Sequence, residues 1–256
     1  MTISKRPKYT SNEGQRDKLP TIERAKEKME EACELLKATR LFLKVAPYQP
    51  KDPNLYIKKA PVVSVDTPKG RELVIAPDIY CEFPNSAKMW VEVKDKPQRA
   101  YYPDTGCDVH QYVGFWCVNY YRREPVLLMF IDPELGEMKL EIPNNVKQRF
   151  IERLVRFTSN GKPVFYGNWL SHLASYDERT RYPMCSLERS RRIPMKIVYL
   201  HVDKMVPFLS ANALGKTLVN YQDARLAPEF EVYDKSLRRV VHDPRELSKR
   251  AYLDSY

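Results

Sequence analysis

The chain has 256 residues, 43% of them hydrophobic, and a formal net charge of +10, so it can build one good core with additions, or two small domains, and suits a polyanionic partner. Eight glycines with no Gly-rich phosphate loop make a nucleotide-binding fold unattractive, and no apolar run or signal-peptide core points to a membrane. Five cysteines without paired spacing and four scattered histidines argue against a disulfide framework and a zinc enzyme, and for a reducing cytoplasm.

Taken in chain order, residues 1–19 are polar and basic, with Lys5-Arg6-Pro7-Lys8 as a local cluster, and read as a disordered arm. The spacing of Ile22, Ala25, Met29, Cys33 and Leu36 predicts an amphipathic helix over 21–38, capped by Thr21 after Pro20. A Pro-rich loop follows 41–45, and strands are expected near 57–66 and 71–83.

Two apolar runs, 73–83 and 89–95, carry the chemistry. Period two in Met89-Trp90-Val91-Glu92-Val93-Lys94 sets Trp90, Glu92 and Lys94 on one face and Met89, Val91 and Val93 on the other. In the first run Val74, Ala76, Asp78 and Tyr80 share a face opposite Leu73, Ile75, Ile79 and Cys81. The connection Pro84-Asn85-Ser86-Ala87-Lys88 is short and rich in turn formers, so the runs pair as a hairpin that brings Asp78 near Glu92 and Lys94. Two carboxylates can hold a hard divalent cation, Mg²⁺ or Mn²⁺, with the Val93 carbonyl as a third oxygen ligand. Such a cation beside a phosphodiester polarises the attacking water. Spacing alone equally allows a solvated surface pair.

Context separates these residues from look-alikes. Pro103-Asp104-Thr105-Gly106 is turn chemistry, with Asp104 or Thr105 as the cap of a helix over 104–123 whose stripe is Val109, Tyr112, Val113, Trp116 and Tyr120. Glu137-Met138-Lys139 follows a turn and reads as an exposed edge. A strand over 125–132 completes an α/β core. Lys96 and Arg99, just past the site, are placed for phosphate contact, and Arg191-Arg192 closes a basic cluster that could clamp backbone phosphates.

Pro77-Asp78, thirteen intervening residues, then Glu92-Val93-Lys94, with a helix before and after, resembles the PD-(D/E)xK nuclease superfamily over about 21–132. The resemblance implies a mixed central β-sheet flanked by helices, with a restriction-endonuclease-like core. It makes Asp78 the central metal ligand, Glu92 the second and Lys94 the catalyst that orients water and stabilises charge on the phosphate. A further Glu on the preceding helix corresponds best to Glu30. Some relatives carry a Gln and a Tyr four residues apart on the later helix; here Gln111 is present, with Phe115 in the tyrosine's place.

Beyond this core, a helix is expected over 145–157, a strand over 195–202, and a short helix after Pro207-Phe208, while 164–176 is ambiguous. The implied organisation is a nuclease-like domain over 20–205 with additions after 135, then a polar extension over 206–256. The expected activity is Mg²⁺-dependent hydrolysis of DNA in the cytoplasm, with no membrane partner and a homodimer left open. A catalytically silent nucleic-acid-binding or assembly protein on the same fold, and an RNA-directed nuclease, are the alternatives.

Overall fold

Strand β6 (Lys88–Asp95) shows how the sequence builds the sheet. Its Met89 and Val91 are buried in one apolar cluster, while Trp90 is buried in another on the opposite face. A sheet covered on both sides is the only surroundings in which both members of such an alternation lose water. The computed structural model describes residues 18–57, 60–96, 104–132, 157–160, 162–173, 185–189, 196–225, 232–234 and 239–242.

The first described element is helix α1 (Lys18–Ala38), followed by strands β1 (Lys44–Pro47), β2 (Tyr56–Ile57), β3 (Ala60–Thr67), β4 (Gly70–Ile75) and β5 (Ile79–Glu82). After β6 come β7 (Asp104–Asp108), helix α2 (Val109–Tyr121) and β8 (Val126–Ile131). Next are β9 (Thr158–Ser159), β10 (Lys162–Pro163), β11 (Tyr166–Trp169) and the single turn α3 (Leu170–Leu173). Strands β12 (Cys185–Arg189), β13 (Lys196–His201) and β14 (Val206–Pro207) precede helices α4 (Ala211–Leu218) and α5 (Tyr221–Arg225). Strands β15 (Val232–Asp234) and β16 (Arg239–Val241) come last.

The main sheet has six strands in the order β1-β5-β6-β8-β11-β14. Strands β6 and β8 run parallel and the other neighbours antiparallel, so the molecule is mixed α/β, as expected. Every residue of β8 is buried, consistent with its unbroken Val-Leu-Leu-Met-Phe-Ile run. Ala32, Cys33 and Leu36 of α1 join Ile79, Cys81, Met89 and Leu127 on one face; α2 joins Trp90, Leu128 and Phe130 on the other. A five-stranded sheet, β16-β15-β12-β13-β7, and a three-stranded sheet, β2-β3-β4, accompany it. Among the described residues no helix is long and apolar enough to cross a membrane.

Several expectations are corrected. The run 71–83 is not one strand: β4 ends at Ile75, pairing with β3, and β5 starts at Ile79 in the main sheet. Pro77 has no N–H for a ladder, and the segment between is held instead by the Ala76 N–H donating to the Pro61 carbonyl at 3.0 Å. Residues 104–108 form a strand against β13 rather than the start of a helix, and the cap position falls to Asp108. Tertiary pairing overrides the local turn signal there, because Thr105 and Cys107 are buried. Ala25 of the expected α1 stripe is exposed, and Ala32 takes its place inward. Helix α2 is buried nearly all round, except that Tyr120, assigned to its stripe, is half exposed.

The strand expected over 195–202 is present as β13, and the short helix after Phe208 as α4. The segment after 205, set apart as an extension, supplies β14 to the main sheet and β15 and β16 to the five-stranded sheet. Residues 1–17, the span 133–156 and the 190–195 segment lie outside the described residues. With them go the expected basic arm, Glu137-Met138-Lys139, Arg191, Arg192 and all but Phe157 of the helix over 145–157.

Candidate active site

The β5–β6 hairpin pairs Ile79 with Val91 and Cys81 with Met89. Its turn is closed by the Ser86 N–H donating to the Phe83 carbonyl at 2.9 Å and the Phe83 N–H donating to the Ala87 carbonyl at 2.8 Å. Continued one step, this register sets Asp78 opposite Glu92, the juxtaposition the two apolar runs predict. A further step would set Pro77 opposite Val93. Proline offers no N–H to the Val93 carbonyl, and the Val93 N–H donates instead to Asp78 Oδ2 at 2.9 Å. The Tyr48 N–H donates to the Asp78 carbonyl at 2.7 Å, fixing the backbone from the other side.

Glu92 is 2% exposed. Its carboxyl receives the Asp78 N–H, pairs with Lys94 Nζ, and lies beside the Asp78 carboxyl, whose charged form it favours. Burial first, and the adjacent Asp78 charge second, push Glu92 up to about 8, against the lowering effect of Lys94. Asp78 is also raised, mainly by burial, although Lys94, the Val93 N–H and Glu92 each favour its charged form. Burial works against the Lys94 ammonium, but Glu92 and Asp78 outweigh it and hold the lysine above its ordinary value. Lys94 Nζ donates also to Gln111 Oε1 at 2.8 Å, from the first turn of α2. The four side chains thus form one connected polar cluster inside an otherwise apolar sheet.

The structure therefore brings together Asp78, Glu92, Lys94 and Gln111. It does not bring Glu30 to them: that side chain is 62% exposed and pairs with Lys26 one turn earlier on α1, at 3.9 Å. Lys96 lies next along the chain, its Nζ 3.9 Å from Asp108 Oδ1 at the head of α2. Arg99 is outside the described residues. Phe115, in the place of the expected tyrosine, is fully buried and offers no hydroxyl.

Three surrounding features are not read from the sequence. Cys107 of β7 is close enough to Lys94 to interact with it, and burial pushes its thiol up to about 12, so it stays a neutral wall. Asp95 pairs through Oδ2 with Arg24 of α1, tying the helix to the end of β6. Glu124 accepts from Trp90 Nε1 at 2.6 Å and from Arg122 Nε at 2.8 Å, bracing the start of β6. The period-two face shared by Trp90 and Glu92 is a signal that Trp90 belongs to the same wall; nothing in the sequence marks its partner.

Two oxygen-donor carboxyls side by side, with the ionisation of Glu92 disfavoured first by burial and then by its neighbour's charge, suit a hard divalent cation, which would replace a proton there. Among the described residues no set of three or more His, Cys, Asp or Glu side chains is grouped to hold a metal, and the side chains brought together here offer two carboxyls. No protein-family model, curated protein or solved structure matches the chain.

Proposed function

We propose that the protein is a Mg²⁺- or Mn²⁺-dependent nuclease that hydrolyses phosphodiesters in DNA, as its resemblance to PD-(D/E)xK enzymes implies. The observation that carries this reading is the pair of neighbouring carboxyls, Asp78 and Glu92, with the Lys94 ammonium paired to Glu92 and held by Gln111. When bound by Asp78, Glu92 and the Val93 carbonyl, the cation supplies Lewis-acid polarisation of the phosphate and a more acidic water.

The chain's own groups do the rest. Val93 N–H fixes the orientation of the Asp78 carboxylate, so it need not reorganise when charge arrives. Lys94 keeps its proton and stands as a fixed positive charge for the oxygens that become more negative as water attacks. Gln111 Oε1 limits where that ammonium can point. Burial of Glu92 behind Trp90 and Cys107 lowers the local dielectric, which strengthens each of these interactions. Cys33, Cys81, Cys107 and Cys117 are buried and form no disulfide, which supports a reducing setting.

A second reading has its own observation. The Lys94 ammonium already pairs with Glu92 within the chain, as a self-contained network in a non-catalytic nucleic-acid-binding or assembly protein would require. Incubation with linear, circular, single-stranded and branched DNA, and with RNA, in Mg²⁺, Mn²⁺ or chelator separates the readings. Metal-dependent cleavage of any DNA form supports the proposal; cleavage of RNA alone moves it to the RNA-directed class. No cleavage of any substrate, with retained binding, selects the silent module.

A further inference from the structure

At the end of the β5–β6 hairpin away from the carboxylates, a polar cleft of about 420 Å³ lies between the turn, the end of α2 and helix α5. Lys88 begins β6 and Lys94 stands six residues further on, which at ~3.3 Å per residue separates the two places by about 20 Å. The cleft is lined by Asn85, Lys88, Arg123, Tyr221, Gln222 and Arg225, together with Arg122 and Glu124. Arg122 and Glu124 cancel one another through two hydrogen bonds, at 2.8 and 3.1 Å, and Arg122 Nη1 also donates to the Ser64 carbonyl. Lys88, Arg123 and Arg225 are exposed and leave the cleft with net positive charge.

Its neutral donors are arranged in series. Asn85 Oδ1 accepts from the Ala87 N–H at 3.1 Å, which fixes the amide so that Nδ2 donates to the Tyr221 hydroxyl at 2.8 Å. Gln222 Nε2 donates to the same hydroxyl at 3.4 Å. With both amides supplying protons, the hydroxyl's own hydrogen has to point elsewhere, and its ring is held by stacking on Phe83 at 4.3 Å. Arg123 sits at φ 55 just past the end of α2, a left-handed position usually given to glycine, so a cation stands there despite the backbone preference.

We propose that this cleft is a binding site for a phosphate group, with Lys88, Arg123 and Arg225 supplying charge and Tyr221 a neutral hydrogen bond. Two exposed cations, Lys88 and Arg225, a third, Arg123, whose guanidinium lies 5.2 Å from the Tyr120 ring centroid, and one fixed hydroxyl donor match the several acceptor oxygens of a phosphate better than those of a carboxylate. The phosphate belongs either to a free nucleotide or to a nucleic-acid backbone. The inference does not depend on the nuclease reading, because the two sites are apart and the cleft uses none of Asp78, Glu92, Lys94 or Gln111.

The full chain is titrated, in chelator so that nothing is cleaved, with inorganic phosphate, a 5′-mononucleotide, and a 12-nucleotide strand as single strand and duplex. Lys88→Ala/Arg225→Ala and Tyr221→Phe are compared with Lys69→Ala/Lys162→Ala, which removes the same charge from exposed positions elsewhere. The expected result is at least ~10-fold weaker binding for the double cleft variant than for the charge-matched control, and about threefold weaker for Tyr221→Phe. Loss confined to the oligonucleotides assigns the site to a backbone phosphate; loss with all probes assigns it to any phosphate. The proposal is overturned if no probe binds saturably, or if both cleft variants bind as tightly as the control.

Discussion

The Val93 N–H donates to Asp78 Oδ2 at 2.9 Å, where the sheet would otherwise have used a backbone carbonyl. A side chain thus replaces a ladder partner at the one place where proline stops the ladder, and the substitution aims the carboxylate at Glu92. Asp78→Asn keeps the shape but loses one negative charge from the pair, so Glu92 is expected to move back towards its ordinary value. Titration of Glu92 by carboxyl NMR checks this, with a downward shift as the expected outcome.

The pH dependence of stability follows from Glu92. Its value rises from 4.5 to about 8 on folding, so between these limits the folded chain holds a proton that the unfolded chain has lost. Stability without metal is therefore full below about 4.5 and falls as pH climbs through 8. Asp78, also raised, acts in the same direction. At ~1.4 kcal/mol per pK unit the loss is on the order of several kcal/mol. Thermal melts in chelator from pH 5 to 9 should show this fall, and Glu92→Gln should flatten it.

A cation competes with the same proton. Stabilisation by Mn²⁺ is expected to be larger at pH 9 than at pH 6, with about one proton released per ion bound near neutral pH. Calorimetry in two buffers of different ionisation enthalpy measures the release directly.

Lys94 and Gln111 should separate in size of effect. Under the proposed nuclease function, Lys94→Ala removes a positive charge from the reacting phosphate and is expected to cost roughly 10² to 10³ in cleavage rate. Gln111→Ala leaves the ammonium in place but less directed, costing about 10- to 100-fold. Single-turnover cleavage rates in saturating metal distinguish the two.

Gly114 lets α2 lie against β4: a Cβ there would sit 2.8 Å from the Ile75 carbonyl oxygen and 3.2 Å from its nitrogen. Backbone atoms cannot yield as a flexible side chain can, so Gly114→Ala should destabilise by about 1–3 kcal/mol. Because Gln111 is one turn earlier on the same helix, its grip on Lys94 should loosen as well. Denaturant melts and cleavage rates report the two consequences.

Much of the site was legible because period two and a short turn are strong local constraints. Ile79, Val91, Glu92 and Lys94 fall on the faces their alternation assigns, and the hairpin register follows from the turn length. The break between β4 and β5 was not legible, since 73–83 is apolar on both sides of Pro77 and the third strand that takes up β4 lies upstream. Residues 104–108 misled for the same reason: their polar turn composition is outweighed by β13, nearly ninety residues away in sequence. Glu30 shows the limit of helical phase. Its position at the flank of the α1 stripe is compatible with an inward or outward side chain, and in the fold it lies outward, beside Lys26.

The most direct measurement is Mn²⁺-dependent DNA cleavage by the wild-type chain beside Asp78→Ala and Lys94→Ala, each shown to be folded by its melt. Wild-type cleavage that disappears in chelator and falls by at least ~10²-fold in both variants is the predicted result. Cleavage that persists unchanged in either variant, or no cleavage by the wild type in Mg²⁺ or Mn²⁺, contradicts the account.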